Sequence, residues 1–168
     1  MRFRGECFRA HDPTWAWSPL SGAGAALKGR RFNWPGLQTL YLSLSFNTVF
    51  REVSGGFAHR LTPYVLCSYD VDCDDIADLR TDADRAVLGV DLSDLSCAWG
   101  DALIAGREPE SWRLMADGCA GALVPSFANG ATTDDQNLVL WRWGPDLPHR
   151  VMVYDPTGRL PKNQVSWD

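Results

Sequence analysis

Between Gln38 and Gly56 the hydrophobic period of the chain changes, and that change limits what the chain can fold into. Gln38-Thr39-Leu40-Tyr41-Leu42-Ser43 is a β-prone run bounded upstream by Pro35-Gly36, which predicts a strand. From Ser45 onward Phe46, Val49, Phe50 and Val53 fall at i, i+3, i+4 and i+7, and Gly55-Gly56 follows, which predicts a short helix. A strand that passes directly into a helix brings side chains of both to one place. At 100° per residue Glu52 lies about 110° from the centre of the apolar stripe, at the helix flank, where a carboxylate can stand in a cleft.

The remaining segments mix strands and helices without regular alternation. Thr62 to Val71 reads as a strand, and Ile76-Ala77-Asp78-Leu79 as a turn plus a short helix. Helices are expected over about 81–88, 97–105 and 109–117, the last closed by Gly118, and strands over 121–125, 137–143 and 149–154. The first 36 residues are rich in Gly, Pro and Trp, and Ser18 to Gly29 reads as a loop with one helical turn. This order favours an α+β fold over a doubly wound sheet. At 168 residues the chain suffices for one domain with a sizeable core and is short for two, so residues 1–168 are read as a single domain.

With 45% hydrophobic and 22% charged residues, the composition suits a globular fold rather than a disordered chain. The net charge of -5 disfavours broad nucleic-acid binding, which needs a concentrated basic surface. No apolar run approaches a bilayer span and the N-terminus lacks a signal-peptide core, so the expected location is the cytoplasm. Cys7, Cys67, Cys73, Cys97 and Cys119 form no C-x-x-C pair and no His stands at ligand spacing. They are read as small buried hydrophobes, with no zinc and no disulfide framework.

The acidic cluster Asp70, Asp72, Asp74, Asp75 and Asp78 fails the calcium-loop pattern, because Asp75 stands where that loop needs Gly and Thr81 where it needs Glu. It is read as a solvated strand end, and no metal is expected. His11, His59 and His149 lie beside no obvious nucleophile, and no nucleophile elbow, phosphate loop or dinucleotide fingerprint occurs. What stands out is Gly29-Arg30-Arg31-Phe32-Asn33-Trp34-Pro35-Gly36, a basic and aromatic turn just before the Tyr41 strand. Within about twenty residues the chain supplies a guanidinium, a phenol and a carboxylate.

The series FRA, PLSGAGAALKGRRFNWPG, LYLS, FREV and GALVPSF resembles the RES domain, named for its Arg, Glu and Ser, over nearly the whole chain. By that resemblance the family Arg falls on Arg31, its strand Tyr on Tyr41, its Glu on Glu52 and its Ser on Ser126. The usual Arg-Trp-Asn is Arg31-Phe32-Asn33 here. The match is loose over 127–137 and the last dozen residues, so no role is carried to Asn137 or beyond. The resemblance implies an ADP-ribosyltransferase-like fold of mixed sheet and short flanking helices. It also implies a toxin of a toxin–antitoxin pair that consumes NAD⁺, and as partner an antitoxin with a helix-turn-helix-type domain whose C-terminal part blocks the active site.

Those residues suit that chemistry. Breaking the nicotinamide–ribose bond passes through an oxocarbenium-like state, which a carboxylate such as Glu52 stabilises more than the ground state. Arg31 can hold the pyrophosphate or a ribose hydroxyl with its planar fork. Tyr41 offers a ring to nicotinamide and Ser126 a hydrogen bond to the carboxamide or ribose. Asn33, Arg9 and Lys28 are further candidates for contact with NAD⁺. Transfer of ADP-ribose to a protein is the first expectation, with Trp15, Trp17 and Trp34 as a docking surface. Transfer to water or phosphate, which depletes NAD⁺, is the alternative, and an RNA-cleaving toxin the remote one. No cofactor beyond NAD⁺ as substrate, no direct nucleic-acid contact and no membrane contact are expected.

Overall fold

A seven-stranded sheet organises the chain. The computed structural model describes residues 1–55 and 62–167, so His59 lies outside the described residues. The strands are β1 (Phe3–His11), β2 (Leu40–Ser43), β3 (Val65–Cys73), β4 (Ile76–Asp78), β5 (Gly121–Pro125), β6 (Gln136–Leu140) and β7 (His149–Val153). Their order is β4-β5-β6-β2-β1-β3-β7, and only β4 and β5 run parallel. Among the described residues six short α-helices accompany them: α1 (Ala23–Lys28), α2 (Phe46–Ser54), α3 (Asp82–Leu88), α4 (Leu92–Ser96), α5 (Trp99–Ile104) and α6 (Glu110–Ala116). The fold is α+β with a mixed, open sheet.

Because successive strand residues point to opposite faces, the register divides the core in two. One face carries Cys7, Leu42, Tyr69, Val71, Leu138 and Leu140, with Leu20, Trp143 and Leu160 from the connecting segments packed against it. The other face carries Ala77, Ala122, Val124 and Val139, packed with Phe32, Leu79, Leu95 and Leu114 from the turn before β2 and from the helical stretch between β4 and β5. Beyond β2 this second cover ends. Over β3 and β7 the same face bears Leu66 and Met152, each about half exposed. Helix α2 stands at that boundary, its Phe46 ring 4.0 Å from Phe8 of β1.

Several expectations need correction. Residues 3–11 form a long strand paired with β3 along its whole length, although Arg4, Glu6 and Arg9 disguise it among polar positions. Ile76–Asp78 is a strand, not a helix: Ile76 and Ala77 are buried on opposite faces, and Asp75, at φ 59°, turns the chain into a parallel pairing with β5. The helix expected over 97–105 is α5 alone, and a separate α4 precedes it. Strand β6 ends at Leu140, after which the Trp141 indole donates to the Phe32 carbonyl at 3.0 Å and the Trp143 indole to the Leu20 carbonyl at 3.0 Å. The acidic residues near β3 are not merely solvated, since Asp72 meets Arg2 at 2.6 Å and Arg4 and Arg150 beyond, while Asp78 meets Arg80 at 2.7 Å.

The most consequential correction concerns the rotation of α2. Its apolar stripe is only in part its buried face: Val49 is buried together with Thr48 and Val53 partly so, whereas Phe46 and Phe50 are about half exposed. On a helical wheel the buried side is turned about 100° from the stripe, onto the side that carries Glu52. Polar anchors set this rotation. The buried Asp135 carboxylate accepts from Thr48 Oγ1 at 3.0 Å and from Thr132, and it pairs with Arg51 at 3.1 Å. These donors, led by the Thr132 amide, hold the Asp135 carboxyl below the usual carboxylate range against the opposing cost of burial.

Candidate active site

Helix α2 starts with Ser45, whose Oγ accepts from the Thr48 amide at 3.1 Å, and ends at Gly55 in the left-handed conformation. These caps give Glu52 its place beside the end of β5. Glu52 Oε1 accepts two short hydrogen bonds, from Ser126 Oγ at 2.7 Å and from Asn137 Nδ2 at 2.6 Å. Asn137 Oδ1 in turn accepts from Ser43 Oγ at 2.8 Å. Ser43 and Asn137 oppose each other across β2 and β6, so the sheet register sets this pair. Ser126 sits just after β5, its amide bonded to the Asp135 carbonyl at 2.8 Å and its Oγ accepting from the Ala128 amide at 3.2 Å. The only proton of the Ser126 hydroxyl therefore goes to Glu52, which makes the serine a holder of the carboxylate.

Phe127, next to Ser126, links this group to the basic turn. The Arg31 guanidinium lies 4.7 Å from the centre of the Phe127 ring, which is 6.3 Å from the Phe32 ring. Arg31 is half-buried and has no carboxylate partner among the described residues, so its charge is open to an anion. The turn that presents it is closed by Arg30 N–H to the Asn33 carbonyl at 2.8 Å and by the reverse bond at 3.3 Å. Gly29 leads into it at φ 70°, where a Cβ would meet the Trp99 indole nitrogen at 2.6 Å.

Tyr41 and Asn33 are spent inside this turn. Tyr41 donates its hydroxyl proton to Asn33 Oδ1 at 2.8 Å and accepts from the Phe32 amide at 3.2 Å. Asn33 is fully buried and donates to the carbonyls of Ala25, Trp34 and Leu37. It presents no polar atom to a ligand. Burial pushes the Tyr41 phenol above its ordinary range, so it stays protonated.

A model of the RES domain matches residues 6–163. The chain belongs to the RES-domain family. Members of the family are generally NAD⁺-acting enzymes associated with toxin–antitoxin systems. Among curated proteins none matches the chain.

In this RES domain, Arg31, Glu52 and Ser126 gather on one face of the sheet, with the half-buried Tyr41 beneath the turn that carries Arg31. Ser43 and Asn137 join them, and no motif signalled either residue beforehand. Their only sign was register, since each stands at the end of a strand run. Lys28 is exposed at the end of α1. Arg9 lies on the opposite face with Cys7 and Cys67, where its guanidinium donates to the carbonyls of Pro19 at 3.3 Å and Ser21 at 3.1 Å. The loop bearing Trp15 and Trp17 crosses that opposite face as well, so these two do not border Glu52, and Trp34 packs edge-on against Trp112 at 5.1 Å. The exposed aromatic residues of α2, Phe46 and Phe50, point to a different side of that helix from Glu52.

Two recesses lie elsewhere: one of about 520 Å³ near Trp143 and His149, and one of about 330 Å³ between Asp75 and Asp117. Neither includes Glu52 or Arg31. Among the described residues no cluster of His, Cys, Asp and Glu is arranged to hold a metal ion, and no helix is long and apolar enough to cross a membrane.

Proposed function

We propose that this RES domain is the toxin of a toxin–antitoxin pair that cleaves NAD⁺ at the nicotinamide–ribose bond and transfers ADP-ribose to a protein. The observation that carries the reading is the Glu52 carboxylate, held at one oxygen by Ser126 and Asn137 while the residue remains exposed. A fixed carboxylate facing the ribose stabilises the positive charge that develops at C1′ as the C1′–N bond breaks. The electron pair leaves with nicotinamide, a neutral base, so no acid is needed. Arg31, carrying unpaired charge beside the Phe127 ring, holds the pyrophosphate. Tyr41 acts through the turn that presents Arg31, and Lys28 adds positive charge at the rim. A side chain of the acceptor protein attacks C1′ and loses its proton on bond formation, with Glu52 exposed to admit it. The antitoxin partner carries a helix-turn-helix-type domain and covers the same face. The protein works in the cytoplasm, with NAD⁺ as substrate and no further cofactor.

One observation favours a second reading, depletion of NAD⁺: Glu52 is exposed, so water or phosphate can reach C1′ as a protein side chain can. Incubation of purified protein with adenylate-labelled NAD⁺, with and without cell lysate, separates the two. Nicotinamide release with labelled protein bands supports transfer, and abundant free ADP-ribose or its phosphate ester supports depletion. Glu52→Gln lowers nicotinamide release by at least about 10²-fold in either case, with the fold intact. No release under either condition overturns the proposal.

A further inference from the structure

We propose that Asn137, braced by Ser43, is a positioning residue that occupies one oxygen of Glu52 and thereby assigns the other, Oε2, to the ribose of NAD⁺. This rests on the NAD⁺-cleaving reading. Glu52 belongs to a nine-residue helix whose buried contacts lie mainly at its first half, through Thr48 and Val49, so its carboxylate near the other end needs its own tether. Two donors converge on Oε1, Asn137 Nδ2 at 2.6 Å and Ser126 Oγ at 2.7 Å, and Oε2 accepts no hydrogen bond from any described residue. An ionised carboxylate only accepts, so the amide must turn its nitrogen toward Glu52 and its oxygen toward Ser43. The Ser43 hydroxyl, nearly buried, satisfies that oxygen at 2.8 Å.

The donors differ in where they stand. Ser126 stands on a loop, whereas Ser43 and Asn137 are directly opposed residues of two central antiparallel strands. The amide therefore couples a helix-borne carboxylate to the paired backbone of two central strands. A carboxylate restrained at one oxygen keeps the other at a set distance from C1′ without reorganising as charge develops. The tether acts on the transition state more than on NAD⁺ binding, so its loss falls on kcat rather than on KM.

Steady-state nicotinamide release by the full chain tests this. Asn137→Ala is expected to lower kcat about 10- to 100-fold, the loss typical of a hydrogen bond to a charged group, with KM for NAD⁺ changed less than about threefold. Ser43→Ala lowers kcat by a smaller factor, and Ser43→Ala with Asn137→Ala together does no worse than Asn137→Ala alone, because Ser43 acts only through the amide. An activity-independent readout is the carboxyl ¹³C resonance of Glu52, assigned by its disappearance in Glu52→Gln, which shifts in Asn137→Ala and, where that variant folds poorly, in Ser43→Ala. Active unaltered protein with Asn137→Ala within twofold in kcat, or altered only in KM, overturns the positioning role and leaves NAD⁺ cleavage standing. No release from the unaltered protein removes the NAD⁺ reading and the ribose assignment together. An unmoved Glu52 resonance overturns the tether whatever the activity.

Discussion

Replacing Tyr41 by Phe keeps the ring and removes one oxygen, so it separates a stacking role from a role in holding the basic turn. In the folded protein that oxygen donates to Asn33 Oδ1 at 2.8 Å and accepts from the Phe32 amide at 3.2 Å. Asn33 is fully buried and Phe32 nearly so, which limits the solvation of either group once the hydroxyl is gone. A buried acceptor left without a donor costs about 1–3 kcal/mol, and the longer bond from the Phe32 amide adds about 1 kcal/mol more. The expected loss is therefore about 2–4 kcal/mol, large against a total stability of roughly 5–15 kcal/mol. For a chain of this size it corresponds to a fall in Tm of roughly 5–15 °C. Urea unfolding followed by Trp fluorescence measures the first figure and a thermal melt the second. Because the loosened turn carries Arg31, KM for NAD⁺ is expected to rise while kcat falls less. A Tyr41→Phe protein within about 0.5 kcal/mol of the unaltered one refutes the account of the turn. If that protein also retains full activity, Tyr41 serves through its ring alone.

The remaining predictions concern groups away from the reaction. Burial, with the nearby Arg9 charge adding to it, pushes the His11 pKa down to about 4 from 6.5, and His11 is bonded to the Tyr69 hydroxyl at 2.5 Å. Between those values the unfolded chain binds a proton that the folded protein refuses, so stability falls as pH drops from about 6.5 to about 4, by at most about 3 kcal/mol. Urea midpoints across that range should show this slope, and His11→Gln should flatten it; an unchanged slope in the variant assigns the titration elsewhere. The Asp72, Asp78 and Asp135 carboxyls, all held below their ordinary range, contribute stability above the unfolded value of 3.8 that is lost only at more acid pH. Burial also pushes the thiols of Cys7 and Cys73 up to about 12 and about 11. Native protein at pH 8 should therefore leave both unmodified by a disulfide reagent, and denatured protein should expose all five cysteines. Rapid native labelling of Cys7 contradicts the placement of β1.

How far the sequence could be read depended on which force decided each element. Where apolar contacts decided, periodicity sufficed: the β5 strand carries Ala122, Leu123 and Val124 buried on both faces, and it spans the residues expected of it. Where pairing decided, periodicity was silent. The polar residues of β1 gain their strand conformation from nine consecutive partners in β3, a partnership distant in sequence that no window along one segment contains. Helix α2 is the instructive middle case. Its existence, start and end followed from Ser45, the apolar spacing and Gly55, but its orientation did not, since the stripe predicts that Phe46 and Phe50 face inward and Glu52 stands aside. In the fold, Asp135, Asn137 and Ser126 accept or donate along the Thr48 and Glu52 side and turn the helix toward themselves, leaving two Phe side chains half exposed. Exposing part of two aromatic rings forfeits burial energy, and a helix selected for stability alone would turn them inward. Local consistency is given up at the helix that holds the candidate carboxylate and kept in β5, the pattern expected when a rotation is retained for what it presents rather than for what it buries.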